Sequence, residues 1–148
     1  MPVRFEHVET VAVSPERAFA AIDDLPLTAK WLPPCISLSK VGDGPNQVGD
    51  QLRYVFKEGF GQKEMVGEIL DRIPGERLYC KYTDPAFDVF VDMRVAPVPE
   101  GAATIHTIEI IPKKFLGKLF QPMIRIGIKK QTRTAAANLK KLLETPAE

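Results

Sequence analysis

Seven runs of alternating apolar and polar side chains, followed by one stretch with an apolar period near 3.6, constrain this chain more than any other feature. The runs cover residues 3 to 13, 35 to 41, 51 to 58, 62 to 73, 77 to 83, 87 to 96 and 104 to 111. Alternation places successive side chains on opposite faces of a strand, so each run offers one apolar face and one polar face. The last six are joined by turn-rich segments, GDGPNQVGD, GFG, PGE and PVPEGAA among them, which predicts an antiparallel meander. From about Lys114 the segment FLGKLFQPMIRIGIKKQTRTAAANLKKLLE predicts one long helix, kinked near Pro122 because its ring removes a backbone donor. A sheet with one apolar face needs a cover, and a long helix laid across it supplies one.

The alternation is interrupted once, by SPERAFAAIDDLPLTAKWLPPC at residues 14 to 35. Ser14 followed by Pro15 is a helix start, since the hydroxyl caps free N–H groups and proline in the first turn loses no needed donor. Phe19 and Ile22 then share a face. Asp23, Asp24 and Pro26 end that helix, and PLTAK forms a second short one before Trp31.

A chain of 148 residues, 45% hydrophobic and 26% charged, is large enough to bury a core as one domain, here taken as residues 1–148. No apolar run approaches the ~20 residues a membrane-spanning helix needs. MPVRFEHVET has neither the apolar core nor the cleavage site of a signal peptide, so a cytoplasmic location is expected. Cys35 and Cys80 have no CxxC spacing and read as small apolar fillers, without a disulfide or a structural zinc. GDGPNQVG has glycines but lies between two strands, without the following helix that a phosphate cradle requires.

Four segments in this order carry a family likeness: VAVSPERAFAAIDDLPLTAKWLPP, VGDGPNQVGDQLRY, EGAATIHTIEI and NLKKLLE. The chain resembles the START-related SRPBCC, or helix-grip, superfamily, and within it the polyketide cyclase and dehydratase-like branch. The resemblance implies an α+β helix-grip fold. In it, a seven-stranded curved antiparallel sheet wraps around a long C-terminal helix, with two short helices between strands 1 and 2. It also implies a hollow hydrophobic pocket between sheet and helix.

Strand phase then suggests the lining. Leu52, Tyr54 and Phe56, Met65, Gly67 and Ile69, Leu78, Cys80 and Tyr82, and Val89, Val91 and Met93 share the apolar face, while Arg53, Lys57, Glu64, Glu68, Lys81, Asp88 and Asp92 lie opposite. His106 and Ile108 point inward because Glu109 alternates with them. On the helix, Gly127 and Ala135 are small where a solid core would want bulk, and Met123, Ile124 and Ile128 stand near them. Trp31 anchors the helix pair or serves as a lid. The expected ligand is a small or medium hydrophobic molecule, lipid or polyketide-like, held for carriage or sensing without a cofactor. The alternative is a metal-free cyclase or dehydratase in which His106 acts as general acid or base beside Tyr54 or Tyr82. His7 and Glu9 can approach His106 if the first and last strands pair, as the family fold implies, but this falls short of a convincing metal site.

Charge is unevenly spread. Residues 1 to 112 hold 11 basic and 17 acidic side chains, whereas residues 113 to 143 hold nine basic and none acidic. The nine are Lys113, Lys114, Lys118, Arg125, Lys129, Lys130, Arg133, Lys140 and Lys141. They form either a solvated face or a docking surface for an anionic membrane or acidic partner, with Phe115, Leu116 and Phe120 as the apolar component. Nucleic acid is not expected, because aromatics are not interleaved with the basic positions.

Overall fold

The computed structural model describes residues 3–58, 60–113 and 121–145. Strand β1 (Val3–Val11) is followed by helix α1 (Pro15–Asp23), a single 3-10 turn (Leu25–Leu27) and helix α2 (Thr28–Trp31). Strands β2 (Cys35–Lys40), β3 (Gln51–Glu58), β4 (Gly61–Ile73), β5 (Arg77–Thr83), β6 (Phe87–Val98) and β7 (Gly101–Pro112) come next. Helix α3 (Gln121–Glu144) closes the described chain. The sheet order is β1-β7-β6-β5-β4-β3-β2, antiparallel at every step. This is the helix-grip fold expected from the sequence.

The turn between β6 and β7 departs furthest from the sequence reading. PVPEGAA does not form a loop: the β6 and β7 ladders continue until Val98 faces Gly101. Gly101 permits this at φ +142, and a Cβ there would lie 2.6 Å from the Val11 carbonyl oxygen, so a side chain would collide with β1. The described part of α3 begins at Gln121, one residue before Pro122. The expectation that the helix starts at Lys114 falls on residues 114–120, outside the described residues.

The helix pair is held by charge as well as by apolar burial. Ser14 Oγ accepts from the Arg17 N–H at 3.2 Å, capping α1. At its other end Asp23 receives Arg72 Nε and Nη2 at 2.9 and 2.7 Å, with Asn46 Nδ2 at 2.9 Å. Burial acts to raise the Asp23 carboxyl, but the Arg72 and Asn46 hydrogen bonds outweigh it and hold the group below its ordinary range. The Arg72 guanidinium also lies 5.7 Å from the centre of the Phe19 ring, so one β4 side chain ties down α1 twice.

The C-terminal half of α3 is fastened to β1 and α1. Lys140 Nζ donates to the Thr10 carbonyl at 2.7 Å, Arg17 Nη2 to the Leu143 carbonyl at 2.9 Å, and the Ala12 N–H to Glu144 Oε2 at 2.8 Å. Ala135, Leu139 and Leu143 are buried beneath these bonds in the main core.

Candidate functional site

Between the inner face of the sheet, the helix pair and the first half of α3 lies a cavity of about 470 Å³. Tyr54 and Phe56 from β3, Met65 from β4, Leu78, Cys80 and Tyr82 from β5, and Val89, Val91 and Met93 from β6 line it. His106 and Ile108 come from β7 and Trp31 from the end of α2. These expected residues meet because the register aligns their phase: Leu78 faces Met93, and Met93 faces His106 across the next ladder.

Five expected residues, Leu52, Gly67, Ile69, Met123 and Gly127, do not line the cavity. Leu52 and Ile69 have the predicted phase, yet they are 1% and 0% exposed within the packed core. Their neighbour explains part of this: the Tyr82 ring lies across Gly67, where a Cβ would sit 2.6 Å from the ring and 3.2 Å from the Leu52 Cβ. The ring, and not Leu52, meets the cavity. Met123 is 69% exposed, and Gly127 is exposed with nothing within 4 Å of a Cβ placed on it. At about 100° per residue they lie off the stripe that faces the sheet. That stripe is Ile124, Ile128 and Gln131 over the cavity, followed by Ala135 in the core.

Apart from Trp31, sequence reasoning missed the contribution of the helix pair. Ile22, Leu25, Thr28 and Leu32 line the cavity with Leu38 of β2. The signal was present in the spacing of Ile22, Leu25 and Thr28, but only the fold shows that this face looks into a void instead of onto a solid core. Lys57, Glu58 and Lys63 of the β3–β4 hairpin and Asp84, Ala86 and Phe87 of the β5–β6 turn also contribute. Lys57, Glu58 and Lys63 are solvent-exposed, which marks the mouth, and Lys63 Nζ lies 2.9 Å from Glu58 Oε1.

The interior is weakly polar. Tyr54 stacks on Phe56 at 5.1 Å between ring centres and lies 5.5 Å from Tyr82. Burial raises both tyrosine hydroxyls and pushes the Cys80 thiol up to about 12, so all three stay uncharged near neutrality. His106 is 5% exposed, and burial, with a smaller contribution from the nearby His7, lowers it to about 4. Its ring meets that of Trp31 edge to face, 6.4 Å between centres and 82° between planes. Asn138 Nδ2 donates to the Trp31 carbonyl at 3.2 Å, fixing the tryptophan backbone to α3.

His7 does face His106 across the β1–β7 ladder, and its Nε2 lies 3.4 Å from Glu9 Oε1. Among the described residues no group of three His, Cys, Asp or Glu side chains could hold a metal ion. Cys35 and Cys80 are free and buried. Among the described residues no helix is long and apolar enough to cross a membrane.

Residues 2–144 match the family described as polyketide cyclase/dehydrase and lipid transport. The chain belongs to this family. Solved structures with the same fold include the aromatase/cyclase ZhuI from Streptomyces sp. R1128, at a TM-score of 0.81 and 12% identity over 97% of this chain and 94% of that one. Protein CV1439 from Chromobacterium violaceum has a TM-score of 0.72 and 21% identity over 97% and 99% of the two chains. Ara h 8.0201 has a TM-score of 0.73 and 14% identity over 97% and 98%. No curated protein matches this chain. Such identities carry the fold, while the polyketide cyclase/dehydrase and lipid transport family and the apolar cavity define this chain as a helix-grip protein built around a hydrophobic site.

Three cations of the basic stripe make contacts within the fold. Lys140 bonds to Thr10 and Glu144, Lys113 pairs with Asp88 at 3.3 Å, and the Arg133 guanidinium lies 5.4 Å from the centre of the Phe5 ring. Arg125, Lys129, Lys130 and Lys141 are exposed. Lys114 and Lys118, with Phe115, Leu116 and Phe120, lie outside the described residues.

Proposed function

We propose that the protein holds a small or medium apolar molecule in the cavity under α3 and carries or senses it. The observation that carries this reading is the division of the lining: every charged lining residue stands at the mouth, and the remainder is aliphatic, aromatic or neutral polar. Transfer of apolar surface from water into such a site is favourable by about 25 cal/mol per Å², before the cost of association. Native mass spectrometry of freshly purified protein, followed by titration with the neutral fluorophore N-phenylnaphthylamine, tests it. A co-purified apolar compound or saturable probe uptake is the expected result. A protein that carries no compound and takes up no probe would overturn the reading.

The cyclase or dehydratase alternative has less support. Among the described residues no hydrogen bond joins His106 to Tyr54 or Tyr82, and a ring that is neutral above about pH 4 is available as a base but not as an imidazolium acid at neutrality.

A second reading rests on the surroundings of the mouth. Phe60 at the β3–β4 turn is fully exposed, and Met123 and Ile126 are 69% and 71% exposed beside Arg125, Lys129 and Lys130. Apolar side chains interspersed with cations suit the surface of an anionic bilayer, from which an apolar ligand could pass to the cavity. Binding to anionic but not neutral vesicles, weakening as salt rises, is expected; equal or absent binding to both would remove this reading.

A further inference from the structure

Three buried polar atoms have no hydrogen-bond partner among the described residues: Trp31 Nε1, His106 Nδ1 and Thr132 Oγ1. Two of the three belong to rings that line the cavity and touch each other edge to face. Both rings stand at its inner end. Along β6 the lining runs from Phe87 at the mouth to Met93, roughly 20 Å at the rise of a strand, and Met93 is the ladder partner of His106. Unpaired buried polar groups are uncommon, because each gives up its bond to water without replacement.

We propose that Trp31 and His106 form a polar subsite for an uncharged oxygen of the ligand, a ketone, aldehyde or alcohol, which enters first while the apolar body trails toward the mouth. This rests on the cavity being a ligand site and specifies the class of molecule it takes. The chemistry of the two rings selects the group. An indole N–H can only donate, so the partner must accept. His106 remains neutral above about pH 4 and can donate or accept through a change of tautomer, which suits a carbonyl or a hydroxyl equally. No charged residue lines this end, so a carboxylate placed here would lose its hydration without a counter-ion. A carboxylate ligand instead keeps its head at the mouth beside Lys57 and Lys63. Neither nitrogen is exposed on the cavity wall as the rings stand, so binding in this mode requires the indole and imidazole to turn about their side-chain torsions to meet the oxygen.

The test is displacement of N-phenylnaphthylamine from the full chain by a methyl ketone, a primary alcohol, a carboxylate and an alkane of equal chain length. The ketone and alcohol should bind about tenfold more tightly than the alkane, the equivalent of one buried hydrogen bond. In Trp31→Phe the ratio of ketone to alkane affinity should shrink at least threefold. His106→Leu should weaken the ketone preference in the same direction. Equal affinity of ketone and alkane for the unaltered protein would overturn the subsite while leaving the cavity reading intact. A full ketone advantage in a folded Trp31→Phe protein would do the same. Absence of probe uptake would instead count against the cavity reading itself. The comparison within the unaltered protein does not depend on how either variant folds.

Discussion

The two halves of helix α3 lie on the same sheet and do opposite things. From Ala135 to Leu143 the inward side chains, Ala135, Leu139 and Leu143, are at most 4% exposed, and three hydrogen bonds join this end to β1 and α1. From Met123 to Gln131 the inward side chains Ile124, Ile128 and Gln131 border the cavity, and the outward ones include exposed Met123 and Ile126. At one end Ala135, Leu139 and Leu143 fill the space between helix and sheet as part of the main core. At the other end Ile124, Ile128 and Gln131 face the space that the curved sheet leaves open. One helix therefore supplies both the stability of the fold and the roof of the site.

Truncation should separate the halves most clearly. Leu139→Ala is expected to cost about 4 kcal/mol, since it opens a void in packed core, whereas Ile124→Ala should cost about 1 kcal/mol beside space already present. Urea unfolding of the two variants checks this, and similar losses would erase the distinction.

Acid should act on the cavity side of the molecule next. His106 protonates near pH 4 when folded and near 6.5 when unfolded, so below 6.5 the unfolded chain binds more protons. Its contribution to stability is complete above pH 6.5 and is lost as the pH falls toward 4, by about 3 kcal/mol in all. Stability measured across that interval should fall less steeply for His106→Leu than for the unaltered protein. An unchanged slope would show that the ring is not buried in its neutral form.

A smaller loss is expected from Gly67→Ala. The new Cβ meets the Tyr82 ring at 2.6 Å and must turn it toward the cavity. Destabilisation by about 2 kcal/mol should accompany reduced uptake of N-phenylnaphthylamine. Full uptake would mean that the ring moves elsewhere. The smallest effect belongs to Gly127→Ala on the solvent face of α3, where added helix propensity should stabilise the fold by about 0.5 to 1 kcal/mol with probe uptake unchanged. A loss of uptake would place this position at the cavity after all.

Strand phase was legible in the amino-acid sequence because a strand has a period of 2, and an error of one residue would bring Lys57, Glu64 and Lys81 to the apolar face. Tyr54, Met65, Leu78, Val91 and His106 could thus be assigned to one face before any fold was known. The helix was harder to phase. Ile124 and Met123 are adjacent apolar residues separated by about 100°, and both fit an amphipathic pattern interrupted by Ile126 and Gly127. Only packing against β1 and β7 decides that Ile124 and Ile128 face inward and that Met123 and Gly127 face water.

The sequence by itself determined the element order, the inward face of each strand, the capped start of α1 at Ser14 and the concentration of positive charge after Pro112, because periodicity, capping chemistry and charge are local properties of the chain. Tertiary structure alone decided which inward residues border space and which fill it. Leu52 and Ile69 have the same phase as Tyr54 and Met65, but they are packed solid while the latter two line the cavity. The reason is geometric: whether a side chain meets a neighbour or a void depends on the curvature of the sheet and the distance of α3 from it, and both are set by contacts between residues far apart in the chain.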